Sequence, residues 1–424
     1  MTDSRRRYVL ISSDAHAGAD LLDYRPYLDR EFHDEFDAWA SSFKDPWSDL
    51  DLELAQDDPN LHLGPASFLS PYNWESDRRL EHMDGQGIAA EIVFPNTVPP
   101  FYPSGFVTAG APSTPEEYRL RRAGVKAHNR WLAEFCAEAP GRRGGLAQVF
   151  LNDIEDAITE VRWAKEKGLA GILIPPDHIT KLVNLYERHL DPFWAACCEL
   201  EMPVHRHTIS VNPPESADTG PAAPAIGAHE CFLLFNRGLG HLVLGGVFER
   251  FPDLKFVFTE TGLAWVMILL QQLELECRHG TDKRTTLYPH FHRAIEALSL
   301  TPTEYFRRNC YLGASLLVGA DVALRHQLGV DRIMWGADYP HHEGTYPHTL
   351  TALRVNFSGL PESEVRAMTS LNAAEVYGFD MQYLQTVADR IGPTPEEVST
   401  PVLRQELPLD SRCMTIADAL DPLY

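Results

Sequence analysis

The sequence has few of the features that mark secreted, membrane-spanning or nucleic-acid-binding proteins. Its seven cysteines are odd in number and form no C-x-x-C pair, which predicts free thiols in a reducing cytoplasm. The apolar runs, such as HLVLGGVF and WVMILL, are far shorter than the roughly 20 residues that span a bilayer. Basic residues are also scarce: 37 Lys and Arg against 60 Asp and Glu give a net charge of −23. We therefore expect a cytoplasmic protein that binds neither nucleic acid nor an anionic membrane surface.

Two further absences concern the fold: there is no internal repeat, and no glycine-rich nucleotide-binding turn follows the first predicted strand. What the sequence does contain is eight short β-rich apolar runs, usually separated by helical patterns. This alternation favours an α/β fold, a distorted (β/α)8 TIM barrel, with an open doubly wound sheet as the alternative. The predicted strands cover residues 8–12, 90–95, 146–150, 171–175, 202–207, 254–260, 310–315 and 332–338.

Some of the intervening helices have recognisable ends. Asp191 and Pro192 are typical of an N-cap followed by the first helical position. Residues 154–164 carry apolar side chains at one-face helical spacing, and Gly168 is placed to end that helix.

Long insertions follow the first and fifth predicted strands, at residues 20–80 and 208–244. In a barrel both would leave the C-terminal face, where lids, binding loops or interface elements are found, although decorative insertions are the alternative. We assign residues 1–378 to the barrel domain and 379–424 to a C-terminal helix and extended arm. The arm carries apolar residues with little core of its own, which predicts a homodimer formed through the arm or the first insertion. These residues are Val402, Leu403, Leu407 and Leu409.

The first insertion is rich in aromatic residues, which suggests a planar or apolar small-molecule substrate. The same residues could instead form the insertion's own core or a subunit contact. They are Phe32, Phe36, Trp39, Phe43 and Trp47.

Polar side chains recur at the ends of the predicted strands. Residues i and i+2 of a strand point to the same side, so paired residues at one strand end can converge. Each signal has an ordinary alternative, a turn or cap carboxylate or a core histidine, but together two carboxylates with two or three imidazoles fit a divalent metal. The candidates are Asp14 and His16, His205 and His207, Glu260, and Asp338; His178, His341 and His342 lie in loops, and His290 and His292 are placed less clearly.

At this point the sequence resembles the amidohydrolase-related branch of the amidohydrolase superfamily, the group containing aminocarboxymuconate-semialdehyde decarboxylase. The resemblance covers roughly residues 8–378, with GGVFERFPDLKFVF and WGADYP as its most specific segments. The other segments that carry it are ISSDAHAG, LEHMDGQGIAAEIVFP, GLAGILIP, MPVHRH and LNAAEVYGF. The resemblance implies a distorted TIM barrel with a mononuclear metal at its C-terminal face.

The resemblance also assigns roles. It implies that His16 and His207 are metal ligands and that Asp338 is both a ligand and a proton-handling carboxylate. Asp14 stands where many members have His and some have Glu, which makes it a ligand by substitution, and Glu260 stands where an acid/base His is usual. The fourth strand ends without the bridging Lys of binuclear relatives, which favours one metal, with zinc preferred and manganese or iron plausible. Asp338, Glu260 and His205 are the candidate catalytic residues.

The formal charge of this site bears on the reaction. Asp14 and Asp338 neutralise a dication, so an ionised Glu260 would make the site negative and disfavour an anionic substrate. Arg206 is the nearest cation in sequence, but alternation points it out of the barrel. We therefore expect a metal-dependent hydrolase of a small carbonyl or amide substrate; the alternatives are a non-oxidative decarboxylase and a non-catalytic binding barrel.

Alternation along KFVFTE places Glu260 on the inward face with Phe256 and Phe258. The alternative is that Glu260 caps the helix that follows.

Overall fold

The computed structural model describes residues 6–45, 47–48, 69–96, 98–104, 109–177, 182–208, 222–281 and 291–421. Eight parallel strands lie side by side in chain order and form a nearly closed barrel, which confirms the predicted distorted TIM barrel. Each strand overlaps one of the predicted apolar runs. They are β1 (Ile11–Ala17), β2 (Ala90–Pro95), β3 (Arg143–Gln148), β4 (Gly171–Leu173), β5 (Val204–His207), β6 (Phe256–Thr259), β7 (Cys310–Ala314) and β8 (Ile333–Trp335).

The barrel closes between β1 and the segment after β8. The backbone N–H of Asp338 donates to the carbonyl of Asp14 at 2.9 Å, and the N–H of His16 donates to the carbonyl of Tyr339 at 2.7 Å. These two bonds place Asp14, His16 and Asp338 at the same end of the closing seam. The fold therefore brings together residues more than 300 positions apart in the sequence.

A β-bulge in β1 decides which of its side chains reach the site. The pairing with β2 shifts between Ser12 and Ala15, so the regular alternation is broken there. Ile11 packs with the apolar residues inside the lower barrel, whereas Asp14 and His16 point to the upper interior. An unbroken strand would have continued the inward face from Ile11 to Ser13.

Helices surround the barrel, and their ends follow from the capping signals. Helix Ile154–Glu166 is capped by Asp153, whose carboxylate accepts from the N–H of Asp156 at 3.1 Å, and Gly168 follows it with φ of +78°. The predicted N-cap at Asp191 is displaced by one residue. Asp191 is the first residue of its helix, after Leu190, and its carboxylate binds Arg250 at 2.7 Å.

The described helices have the following bounds. They are His33–Ala40, Ser76–Gly85, Pro115–Ala137, Ile154–Glu166, Asp191–Glu199, Ala222–Leu244, Val247–Arg250, Ala264–Thr281, Phe291–Ile295, Pro302–Asn309, Gly319–Ala323, Arg325–Leu328, Thr349–Phe357, Glu362–Arg366, Asn372–Tyr377, Met381–Ile391, Pro395–Ser399 and Met414–Leu420.

The two insertions differ. In the first, Phe36, Trp39 and Phe43 pack against one another and against Phe101, which gives the segment a core of its own. In the second, residues 209–221 lie outside the described part of the chain, and the rest forms the long helix Ala222–Leu244.

The C-terminal segment packs on the barrel at both ends. Leu384 and Val387 of helix Met381–Ile391 are buried with Val9 and Met334 at the lower end, where the strands begin. Further along, Met414 donates its N–H to the carbonyl of Glu343 at 3.0 Å, on the loop after β8. The segment therefore runs from the bottom of the barrel to its functional face.

Self-association stays a prediction. Leu407 is buried within the chain, but the side chains of Leu403 and Leu409 are 56% and 84% exposed and are available to a second copy. We expect a dimer by light scattering at micromolar concentration, and a monomer after Leu409→Asp if the arm forms the contact. A monomeric wild-type protein would contradict the expectation.

Two sequence expectations can be compared directly with the described residues. No helix in the described ranges is long and apolar enough to cross a membrane. Of the six cysteines whose side chains are described, four are buried and two are partly buried.

Candidate metal centre

Three side chains from two strands converge at the upper end of the barrel. Nε2 of His16 and Nε2 of His207 each lie 3.4 Å from Oδ1 of Asp14. All three residues offer ligand atoms within 4.8 Å of one another, and Asp14 is fully buried. The rings of His16 and His207 meet edge to face, with centroids 5.1 Å apart. Two imidazole nitrogens and a carboxylate directed at one point are a typical ligand set for a divalent metal.

The other nitrogen of each imidazole fixes the orientation of the ring. Nδ1 of His16 lies 3.0 Å from the carbonyl of Pro95, and Nδ1 of His207 lies 2.6 Å from the carbonyl of Thr208. A carbonyl can only accept, so each Nδ1 carries a proton and donates it. In the neutral imidazole Nε2 then has a free lone pair, and this arrangement recurs in metal-ligating histidines.

Several buried polar atoms are placed where they could bind a cation. Among the described residues, Oδ1 of Asp14, Nε2 of His207 and Oδ2 of Asp338 are buried without a hydrogen-bond partner. Such atoms are costly to leave unsatisfied, and a metal ion would satisfy them. Ser315 donates its hydroxyl to Oδ2 of Asp14, which orients the carboxylate. Gly336 allows this close packing, because a Cβ there would lie 2.8 Å from the Cβ of Asp14.

Asp338 lies on the other side of His16. Its Oδ1 is 3.1 Å from Nε2 of His16 and 3.0 Å from Nδ1 of His341, whose ring stacks on that of His16 at 4.0 Å. Asp338 has φ of +57°, a left-handed conformation that is rare for a non-glycine residue. Strain of this kind is concentrated at functional sites.

The charges of this group interact strongly. Burial lowers the pKa of His16, but its interactions with Asp14 and Asp338 outweigh burial and raise it to about 10. Burial raises the pKa of Asp14, but the attraction of His207 and His16 prevails and holds the pKa well below its usual range. The carboxylates therefore remain ionised, and without a metal His16 is held as an imidazolium. A cation at this point would replace that proton.

Glu260 reaches the site by a different route from the one predicted. Phe256 and Phe258 point outward: the ring of Phe258 lies 5.5 Å from that of Trp265 on the surrounding helix Ala264–Thr281, while Val257 faces the interior. Simple alternation would therefore turn Glu260 outward as well. Its left-handed φ of +57° redirects the chain, and Oε2 comes to 3.3 Å from Nε2 of His207.

The alternative prediction for Glu260 is that it caps the following helix, but another residue, Asp321, lies at that helix start. The carboxylate of Asp321 accepts from the N–H of Leu263 at 3.0 Å, at the start of the helix that follows Glu260. Asp321 thus supplies an acceptor where the cap was expected.

His205 lies inside the barrel but is not among the candidate ligand groups of the described residues. Its Nδ1 lies 3.2 Å from the carbonyl of Ile172 and its Nε2 2.9 Å from the hydroxyl of Tyr377. Burial lowers its pKa to about 3, so the ring is neutral. Nδ1 therefore donates to Ile172 and Nε2 accepts from Tyr377. These contacts hold the His205 ring in the barrel interior, and its catalytic role stays a prediction.

Replacing Tyr377 by phenylalanine is expected to lower the free energy of unfolding by about 1–3 kcal/mol, because Nε2 of His205 would lose its donor in a buried site. Metal content should stay unchanged. Urea unfolding measures the effect, and Tyr383→Phe is the matched control, since the Tyr383 side chain is 41% exposed. Equal stability of the two variants would show that the bond from Tyr377 to His205 does not stabilise the barrel.

Three more residues, His341, Ser315 and Glu343, lie beside the candidate metal centre. His341 is predicted only as a loop residue. Ser315, the last residue of the seventh predicted strand, and Glu343, in the loop after β8, are missed by the sequence analysis. Trp47 of the first insertion lies over the site, with its ring 5.7 Å from that of His341 and its Nε1–H donated to the carbonyl of Asn96 at 2.7 Å.

Other predicted loop histidines contribute less. Burial, with Arg412 nearby, lowers the pKa of His342 to about 4. His292 belongs to helix Phe291–Ile295 and to none of the candidate ligand groups among the described residues. His178 and His290 lie outside the described residues.

Several solved structures are similar to this chain. An amidohydrolase from Mycobacterium avium subsp. paratuberculosis K-10 is 21% identical, with 88% of this chain and 99% of that chain covered and a TM-score of 0.62. The 5-carboxyvanillate decarboxylase of Sphingomonas paucimobilis is 19% identical, with 88% and 100% covered and a TM-score of 0.57. A dihydroxybenzoic acid decarboxylase from Polaromonas sp. JS666, solved with manganese and 2-nitroresorcinol, is 19% identical, with 88% and 97% covered and a TM-score of 0.54.

At these identities the solved structures establish the shared fold. A search of curated proteins found no match. The family model described as Amidohydrolase matches residues 49–379, which is most of the chain. Some of the similar solved structures contain a metal. The match of the family model over most of the chain shows that this TIM barrel belongs to the amidohydrolase family.

Proposed function

We propose that the protein is a metal-dependent decarboxylase of a small aromatic carboxylic acid, with one divalent cation held by Asp14, His16, His207 and Asp338. The observation that carries the metal is the convergence of two oriented Nε2 atoms on Oδ1 of Asp14 at 3.4 Å. Zinc remains our first expectation from the mixed nitrogen and oxygen ligands, and manganese is the second. The manganese in the Polaromonas decarboxylase supports testing both.

Decarboxylation is favoured over the hydrolysis predicted from the sequence because two of the similar structures are named as decarboxylases of aromatic acids. The site also has aromatic walls that suit a planar substrate. Trp47 lies beside His341, and the ring of Phe94 lies 4.7 Å from that of His207. A small aromatic ring could stack between such surfaces.

The reaction needs a proton at the carbon that loses CO₂, since Ar–COO⁻ and H⁺ give Ar–H and CO₂. A bound dication supplies positive charge that stabilises developing charge on substrate oxygens. Asp338 and His341, joined at 3.0 Å, form a pair that can hold a proton and deliver it. Glu260, 3.3 Å from His207, is a second carboxyl group within reach of the site and the second candidate for proton transfer.

Hydrolysis is the second candidate, and one observation favours it. The carboxylates of Asp14, Asp338 and Glu260 carry more negative charge than one dication neutralises. The remaining negative charge disfavours an anionic substrate. In that reaction Asp338 would accept a proton from the attacking water. A non-catalytic binding barrel is the third possibility, and a purified protein without metal or activity would indicate it.

Isotope incorporation separates the two reactions. The metal-loaded protein would be incubated with a panel of hydroxybenzoic acids and of neutral aromatic amides and esters, in D₂O and separately in H₂¹⁸O. Decarboxylation predicts a product with one solvent deuterium on the carbon that lost CO₂ and no ¹⁸O. Incorporation of ¹⁸O into the product acid, without loss of CO₂, would overturn the proposal in favour of hydrolysis.

A further inference from the structure

One short helix of the C-terminal segment contacts two of the loops that surround the candidate metal centre. This helix, Met414–Leu420, lies beyond the residues that the family model matches. The N–H of Met414 donates to the carbonyl of Glu343 at 3.0 Å, on the loop after β8. The hydroxyl of Thr415 donates to the carbonyl of Leu317 at 2.6 Å, on the loop after β7. The helix therefore ties these two loops together.

We propose that this helix is a positioning element, which acts through the loop after β8 to keep His341 against Asp338. Nδ1 of His341 lies 3.0 Å from Oδ1 of Asp338. The inference rests on the proposed function, in which these two residues hold the proton and deliver it. It goes beyond that function because no residue of the helix belongs to the metal centre or to the pair that carries the proton.

The helix is itself anchored on the barrel. Ile416 is fully buried and packs in one cluster with Leu407 and Ala352. The carbonyl of Leu317 accepts a second bond, from Nδ2 of Asn356 at 3.1 Å, so the loop after β7 is also fixed. Burial of apolar side chains stabilises this arrangement. The first residues of the helix therefore meet the loop after β8 from an ordered backbone.

The loop after β8 consists of tight turns in which each residue restrains the next. The N–H of His341 donates to the carbonyl of Asp338 at 2.9 Å, and the N–H of Gly344 donates to the carbonyl of His341 at 3.1 Å. Gly344 permits the turn, because a Cβ there would lie 2.7 Å from the carbonyl oxygen of Asp338. Glu343 lies within this turn, so the bond from Met414 restrains the backbone that carries His341.

Small displacements of this loop are expected to slow proton transfer. A group that transfers a proton must lie within hydrogen-bond distance of its partner. A misplacement of about 1 Å, caused by a change remote from the chemistry, can cost a hundredfold in rate. The contact between the helix and Glu343 therefore affects turnover without any contact between the helix and the substrate.

Met414→Pro removes the bond to Glu343 with little other change to the helix. Met414 is the first residue of its helix, a position where proline is tolerated. Cys413, the residue before it, has an extended ψ of 119°, which suits a residue that precedes proline. Met414→Ala is the matched control, since it keeps the N–H and shortens a side chain that is 46% exposed.

Hydrogen exchange followed by mass spectrometry measures the loop without any substrate. We expect the peptide that contains residues 341–345 to exchange at least about threefold faster in Met414→Pro, because a backbone hydrogen bond is lost, and at the wild-type rate in Met414→Ala. With the substrate identified by isotope incorporation, kcat of Met414→Pro should fall at least about tenfold while KM and metal content stay unchanged. The unfolding temperature should fall by no more than about 2 °C.

Two results would overturn the positioning role: wild-type exchange over residues 341–345 in Met414→Pro, or faster exchange there with wild-type kcat. If Met414→Pro does not fold, Thr415→Val removes the other bond of the helix and keeps the shape of the side chain. It should change exchange and kcat in the same directions, and wild-type behaviour would then reject the proposal. Because exchange requires no substrate, the positioning role can fail while decarboxylation stands, and isotope labelling can reject decarboxylation while the exchange result stands.

Discussion

Replacing His207 by alanine should weaken cation binding at the centre formed by Asp14, His16 and His207 by at least about a hundredfold and abolish turnover. His207 supplies one of the two oriented ring nitrogens that converge on Asp14. Loss of even an outer-sphere partner of a metal commonly costs ten- to a hundredfold in affinity, so loss of a ligand should cost more. Equilibrium dialysis followed by elemental analysis should show one equivalent less than in the wild-type protein.

His189→Ala is the matched control for this change. His189 is a surface residue, 56% exposed and paired with Glu187, and its removal should leave metal content and turnover unaltered. Wild-type metal content in the His207→Ala variant would show that His207 is not a ligand.

Replacing Asp338 by asparagine should lower turnover by roughly a thousandfold while the fold is preserved, because general acid–base groups commonly contribute between a hundred- and ten-thousandfold. The change keeps the shape of the side chain but removes the charge that holds His16 and His341. It also prevents the pair with His341 from holding a transferable proton. Steady-state kinetics with the substrate identified by isotope incorporation would measure the loss, at saturating metal because Asp338 is also a proposed ligand.

The control for Asp338→Asn is Asp331→Asn, at the opposite end of the same strand region. The Asp331 carboxylate is 68% exposed and pairs with Arg332 on the surface. The Asp331→Asn variant should retain full turnover. An Asp338→Asn variant as active as this control would exclude Asp338 from the chemistry.

The sequence predicts the barrel because local and global signals agree along most of the chain. Short apolar β-rich runs, separated by helices with caps such as Asp153, are consistent with eight parallel strands. Polar residues at the C-terminal ends of those strands then identify the functional face of a barrel. Asp14, His16, His207 and Asp338 stand at such strand ends and are identified there without knowledge of any contact.

Other features depend on backbone conformations that no periodic pattern encodes. The bulge in β1 changes the inward face between Ile11 and Asp14. The left-handed φ of Glu260 turns a residue inward that alternation alone would turn outward. The prediction for Glu260 reached the right location through a wrong assignment of Phe256 and Phe258, which pack against the outer helices.

Long-range contacts account for what the sequence missed. His205 shares a strand face with His207, yet Tyr377, 172 positions away, binds its Nε2 and fixes it in the barrel interior. Glu343 lies in a loop with no periodicity, and its position depends on a backbone bond from Met414. Neither partnership leaves a trace in local spacing, since each arises only when distant parts of the chain pack together.

Anomalous diffraction from crystals of the manganese-loaded protein is the most direct test of the proposed cation site at Asp14, His16 and His207. We expect a strong anomalous peak within coordination distance, about 2.0–2.3 Å, of Nε2 of His16, Nε2 of His207 and an oxygen of Asp14. Crystals saturated with manganese that show no peak there, with the two imidazoles hydrogen-bonded to Asp14 instead, would contradict metal binding at this centre.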